Sequence, residues 1–119
     1  PMVKCIHYLG FLIDGQPDYE LFRRQCSSPG SVFSFEIDGD EQMAFRFLDN
    51  LKHFKLAVSL GSTESLAEHP ATMTHVDVSS EDRVAFGINE RLIRLSIGLE
   101  NPKDLIDDLK RAFEIAQKG

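Results

Sequence analysis

A chain of 119 residues, 42% apolar and 27% charged, has the make-up of one domain with a modest core. Its formal charge of -6 argues against nucleic acid and anionic membrane as partners, because their phosphates repel an acidic surface. No apolar stretch approaches the roughly 20 residues of a membrane span, and Pro1-Met2-Val3-Lys4 leads into no signal-peptide core, so a soluble cytoplasmic protein is expected.

In chain order, Val3 to Tyr8 reads as a strand. Asp18 is placed to cap a helix reaching about Cys26, with Leu21 and Phe22 facing inward, and Ser27-Ser28-Pro29-Gly30 breaks the chain. Phe33, Phe35 and Ile37 alternate with Ser34 and Glu36, the period of a half-buried strand that Asp38-Gly39 ends. From Glu41 to Leu51 the residues Ala44, Phe47, Leu48 and Leu51 fall on one helical face, leaving Arg46, Asp49 and Asn50 to solvent. Lys55 to Leu60 reads as a third strand. Gly61-Ser62-Thr63 then suits a turn into a short helical piece closed by His69-Pro70. Ser79-Ser80-Glu81-Asp82 has capping-box spacing before another short helix, with Gly87 placed to end it in a left-handed conformation. Leu92 to Gly98 is the fourth strand. Asn101-Pro102 pairs an N-cap with proline at the first helical position, and Leu105, Ile106, Leu109, Ala112, Phe113 and Ala116 form a helical stripe to the end.

This alternation, without repeats or an internal linker, implies an α+β fold: a two-layer sandwich with a mainly antiparallel sheet of about four strands and helices packed on it. A single domain, residues 1–119, is expected. Such a fold decides no function, so chemistry has to be sought in particular side chains.

Arg94 is the most informative charge. It stands mid-strand, opposite in facing to Ile93, Leu95 and Ile97, and a buried guanidinium needs solvent, an acid partner or an anionic ligand. Its planar fork matches a carboxylate bidentately, which suits an amino-acid α-carboxylate; the plainer alternative is an arginine on the solvent face of an edge strand. Ser59, at the end of the third strand and just before Leu60-Gly61, can present polar groups to a ligand or simply shape a turn. His69 and His75 stand six apart with no cysteine beside them, which is no recognised zinc spacing, and no metal site is expected. His7 and His53 suggest no role beyond surface or core. Cys5 and Cys26 suggest structural cysteines rather than a disulfide or a reactive thiol. Neither of the standard glycine-rich phosphate loops occurs, nor does a Gly-x-Ser-x-Gly elbow.

The run from Leu56 to His75, LAVSLGSTESLAEHPATMTH, and the run from Leu92 to Glu100, LIRLSIGLE, follow one another at a fixed interval before a final helix. Together they resemble the signature segments of the cystathionine and methionine γ-lyase family, over nearly the whole chain. The resemblance implies the C-terminal domain of a fold-type I pyridoxal-phosphate enzyme, cleaving a carbon–sulfur bond of a sulfur amino acid. Arg94 would grip the substrate α-carboxylate, Ser59 would contribute at the same carboxylate, Thr74 would support them, and Val58 and Leu60 would line the pocket. Val58 stands where cystathionine γ-lyases carry glutamate and methionine γ-lyases an apolar residue, which tilts the resemblance towards methionine γ-lyase. Cystathionine γ-lyase, cystathionine γ-synthase and O-acetylhomoserine sulfhydrylase remain alternatives. The Schiff-base lysine and cofactor contacts would belong to a large pyridoxal-phosphate-binding domain of the same polypeptide, absent from this chain. The fragment alone would then bind no cofactor and be inactive, and its parent would be a homotetramer. A reading of another class is a stand-alone amino-acid-binding regulatory module anchored by Arg94.

Overall fold

A computed structural model describes residues 2–119, and its strands are β1 (Val3–His7), β2 (Val32–Ile37), β3 (Lys55–Leu56), β4 (Leu66–Glu68) and β5 (Leu92–Ser96). They form one sheet in the order β1-β2-β5-β4-β3, antiparallel throughout except where β3 runs parallel to β4. The period-2 alternation of β2 puts Phe35 and Ile37 on one face, and Ile93 and Leu95 of β5 join them there. Helices α2 (Glu41–Asp49) and α4 (Pro102–Lys118) cover that face with Ala44, Phe47, Leu48, Leu105, Ala112 and Ala116. Fully burying one such Phe, Ile or Leu contributes about 1.5–3 kcal/mol. Phe35 meets Phe47 edge-on at 5.7 Å, and Phe113 tilts against both rings. The two-layer α+β sandwich stands as read from the sequence, with five strands rather than about four.

The helix ends follow local chemistry. Asp40 caps α2 by accepting from the Met43 N–H at 2.8 Å, Asn101 caps α4 through the Lys103 N–H at 2.9 Å, and Ser79 caps α3 (Ser80–Ala85) through the Asp82 N–H at 3.1 Å. Gly87, at φ +77°, ends α3 as expected. By contrast, α1 (Tyr19–Gln25) buries none of its residues, and Leu21 is 41% exposed. Asp18 stands before α1 in a left-handed conformation, and its side chain makes no capping bond.

The expected short helix before His69-Pro70 is instead β4. Leu66, Ala67 and Glu68 are all buried, a pattern with neither helical nor alternating period, and the strand pairs on both sides. The expected third strand also ends early. Its ladder continues to the Ala57 N–H, which donates to the Ala67 carbonyl at 3.0 Å, and beyond that point the carbonyls turn to another partner. Three smaller expectations change as well. Arg46 is partly buried, its Nε donating to the Ala116 carbonyl at 3.2 Å and joining α2 to α4, whereas Ile106 is half exposed and Cys26 lies on the surface.

Candidate functional site

β5 is the central strand, so Arg94 is not on a sheet edge. Its cross-strand partners are Ser34 on β2 and Glu68 on β4, and directly paired residues project from the same face. This is the face away from α2 and α4, where Leu66, Leu92 and Ser96 are also buried outside the main core.

Three protein acceptors hold the guanidinium. Nη1 lies 3.1 Å from Glu68 Oε1, and Nη2 donates to the Val58 carbonyl at 2.9 Å and the Ser59 carbonyl at 3.1 Å. These are the carbonyls released where β3 stops pairing. An arginine has five N–H donors, so one on Nε and one on Nη1 remain, on different edges of the guanidinium, and the side chain keeps 19% of its surface open. Glu68 itself is 1% exposed. Burial, the largest influence on its carboxyl, pushes it above the usual range, against the pull of Arg94, the Thr74 hydroxyl, His75 and His69. Its Oε2 is buried without a partner among the described residues, so one oxygen carries the whole network.

Thr74 joins through that oxygen, donating to Glu68 Oε1 at 3.4 Å, and its hydroxyl lies 2.8 Å from His75 Nδ1. One hydroxyl hydrogen serves one acceptor, so the chain is complete when His75 Nδ1–H donates to Thr74 and Thr74 donates onward. His69 is a buried structural residue. Its ring nitrogens sit 2.8 Å from the Thr72 hydroxyl and 2.8 Å from the Glu90 carbonyl, with Phe45 edge-on at 5.0 Å.

The loop that presents Val58 and Ser59 is pinned at both ends. The Gly61 N–H donates to Ser96 Oγ at 2.9 Å, with Gly61 at φ +72° where a side chain would strain the turn. Farther along, Glu100 accepts from the Ser65 N–H and from Ser65 Oγ, both at 2.7 Å, while that hydroxyl accepts from the Gly98 N–H at 2.9 Å. The Ser65 backbone and side-chain bonds, in that order, hold the Glu100 carboxyl below its usual range.

The structure thus brings Arg94, Val58, Ser59 and Thr74 together. Val58 and Ser59 take part through their carbonyls, Thr74 acts at one remove, and the Val58 and Leu60 side chains are 53% and 54% exposed beside them. Glu68 was missed from the sequence. The available signal was that a buried arginine demands an acid, but reading β4 as helix removed Glu68 from the neighbouring strand.

The model of the Cys/Met metabolism PLP-dependent enzyme family matches residues 1–114. The chain belongs to that family. It is 51% identical to cystathionine gamma-lyase of Mus musculus over 98% of this chain and 29% of that protein. It is 46% identical to L-methionine gamma-lyase of Pseudomonas putida over 96% of this chain and 28% of that one. Among solved structures, cystathionine gamma synthase of Xanthomonas oryzae pv. oryzae in complex with cystathionine superposes with a TM-score of 0.88, at 41% identity over 98% of this chain and 30% of that chain. The chain therefore spans less than a third of the length of these PLP-dependent relatives. All six lysines are exposed, and none is a partner of Arg94.

Proposed function

We propose that this chain is the C-terminal, substrate-carboxylate-binding part of a PLP-dependent carbon–sulfur lyase, with methionine as first choice of substrate and thiol, 2-oxobutanoate and ammonia as products. The observation that carries the reading is the Arg94 guanidinium, fixed by Glu68 and two carbonyls at the centre of the sheet with two N–H groups to spare. The match along residues 1–114 favours it over a stand-alone binding module.

On this reading the Schiff-base lysine and the cofactor contacts lie in a large domain of the same polypeptide, and the parent is a cytoplasmic homotetramer. Bound there, the cofactor supplies the electron sink for breaking bonds at the substrate's α and γ carbons. The residues of this chain bind and orient. An open N–H of Arg94 takes the α-carboxylate in a charge-assisted hydrogen bond, and holding that group restricts the torsion about the α carbon and hence which bond is aligned for cleavage. Glu68 keeps the fork from swinging, and Thr74 keeps Glu68 from turning. Neither transfers a proton to substrate.

Val58 sets the choice of side chain. An apolar residue next to Ser59 suits an uncharged thioether, whereas an acid there would reward a second ammonium group on the substrate. Turnover of the full-length parent on methionine and cystathionine tests this. Methionine should have the higher kcat/KM, and Val58→Glu should move the ratio towards cystathionine by up to about fivefold, the scale of one partly exposed charge pair. A parent that prefers cystathionine, or a ratio indifferent to Val58→Glu, would contradict the assignment to methionine.

A further inference from the structure

We propose that Cys5, His7 and Glu36 form a binding site for a borderline divalent cation of the zinc class, with water completing its coordination. The three donor atoms lie within 4.8 Å of one another. Cys5 Sγ is 3.5 Å from His7 Nε2, and that nitrogen is 3.7 Å from Glu36 Oε1. Tetrahedral bonds of about 2.3 Å to sulfur and about 2.0–2.1 Å to nitrogen and oxygen put neighbouring donors roughly 3.3–3.6 Å apart. Two edges of the triangle are therefore near their liganded length before any ion enters.

The backbone has been adjusted to make this triangle. The pairing of β1 with β2 shifts between Val3, opposite Ile37, and Cys5, opposite Glu36. Without that shift Cys5 would follow Val3 onto the core face and stand opposite Phe35; with it, Cys5 turns outward beside Glu36. A bulge re-aims a side chain at some cost in pairing, and what it aims here is a thiol at a carboxylate and an imidazole. Cys5 and His7, two residues apart, then share the outward face.

The surroundings suit a cation. Glu36 is largely covered while His7 keeps 56% of its side chain exposed, so the site has a supporting side and an open side. Arg91 Nη2 lies 3.5 Å from Glu36 Oε2, which orients the carboxylate and leaves Oε1 to the site. A cation held between Cys5 and Glu36 takes the sulfur as thiolate, since a coordinated thiol gives up its proton. The cluster shares the outward face of the sheet with Arg94, Ser34 standing between His7 and Arg94, but no ligand residue belongs to the Arg94 network and the proposal needs nothing from the reading of that site.

Cobalt(II) is the probe, because thiolate ligation gives it a near-ultraviolet charge-transfer band. The titration uses the 119-residue chain carrying Cys26→Ser, so that Cys5 is its only thiol, with circular dichroism confirming the fold of each variant. One equivalent should bind with the charge-transfer band and be displaced by zinc, and zinc should raise the Tm of the same chain. Cys5→Ser should abolish the band, and His7→Asn and Glu36→Gln should each weaken binding tenfold or more. Absence of the band, or equal affinity in the His7 and Glu36 variants, would overturn the proposal, the latter because it leaves a thiol acting alone.

Discussion

Two buried carboxylates do opposite things to stability, and their surroundings explain why. Asp108 on α4 accepts the backbone N–H groups of Lys52, His53 and Phe54 and pairs with Arg111, tying the α2–β3 connection to the last helix. Burial works against its charge, but those bonds prevail and hold its carboxyl below the usual range. Its stabilisation is complete above the ordinary aspartate value and fades as the pH falls through the lowered one. Removing one partner of such a pair costs about 3–5 kcal/mol, so Asp108→Ala should lower the urea midpoint sharply at neutral pH, with less difference in strong acid. Glu68 runs the other way. Its raised carboxyl contributes stability below the ordinary glutamate value that is lost as the pH climbs through the folded one. Urea melts across that range should show Glu68→Gln gaining on the unmodified chain as pH rises; a gap that widens in the opposite direction would mean that the ion pair to Arg94 outweighs burial.

At the scale of elements, the Val58–Ser65 connection decides whether the guanidinium has carbonyls to meet. Its far end passes so close to β5's exit that a Cβ on Gly98 would stand 2.3 Å from the Thr63 carbonyl oxygen, 2.6 Å from the Glu64 carbonyl carbon and 2.7 Å from the Ser65 nitrogen. All are backbone atoms that cannot swing aside. Gly98→Ala should therefore cost about 1–3 kcal/mol or more in thermal melts and loosen substrate binding in the parent, because the loop carrying Val58 and Ser59 must move. This element was the least legible in the sequence. The helices α2 and α4 announce themselves through 3.6-residue stripes and capping residues, and β2 through strict alternation. β4 has three consecutive buried residues and no period, so only its pairing with β5 and β3 reveals it. The bulge in β1 is hidden for the same reason: register belongs to two strands at once.

For the molecule as a whole, the resemblance carried by residues 56–75 and 92–100 led to the right family, and bottom-up reading of Arg94 left a carboxylate anchor or a solvent-facing arginine on an edge strand, of which the central place of β5 removes the edge. What neither could supply was the neighbourhood across the sheet, where Glu68 and Ser34 flank Arg94 and Glu36 faces Cys5. The apolar side chains left on the surface, among them Phe11, Leu56, Val58, Leu60 and Leu99, fit a chain that spans less than a third of its relatives' length. The proposed recognition of substrate by Arg94 is tested in the full-length parent, by comparing kcat/KM for an amino-acid substrate with that for the matching amine lacking the α-carboxylate. Losing one partner of a close charge pair costs 2–5 kcal/mol, so Arg94→Ala should shrink the preference for the carboxylate-bearing compound by roughly 30-fold or more while leaving the amine almost unaffected. An equal loss on both compounds would mean that this guanidinium supports the fold and never meets the substrate.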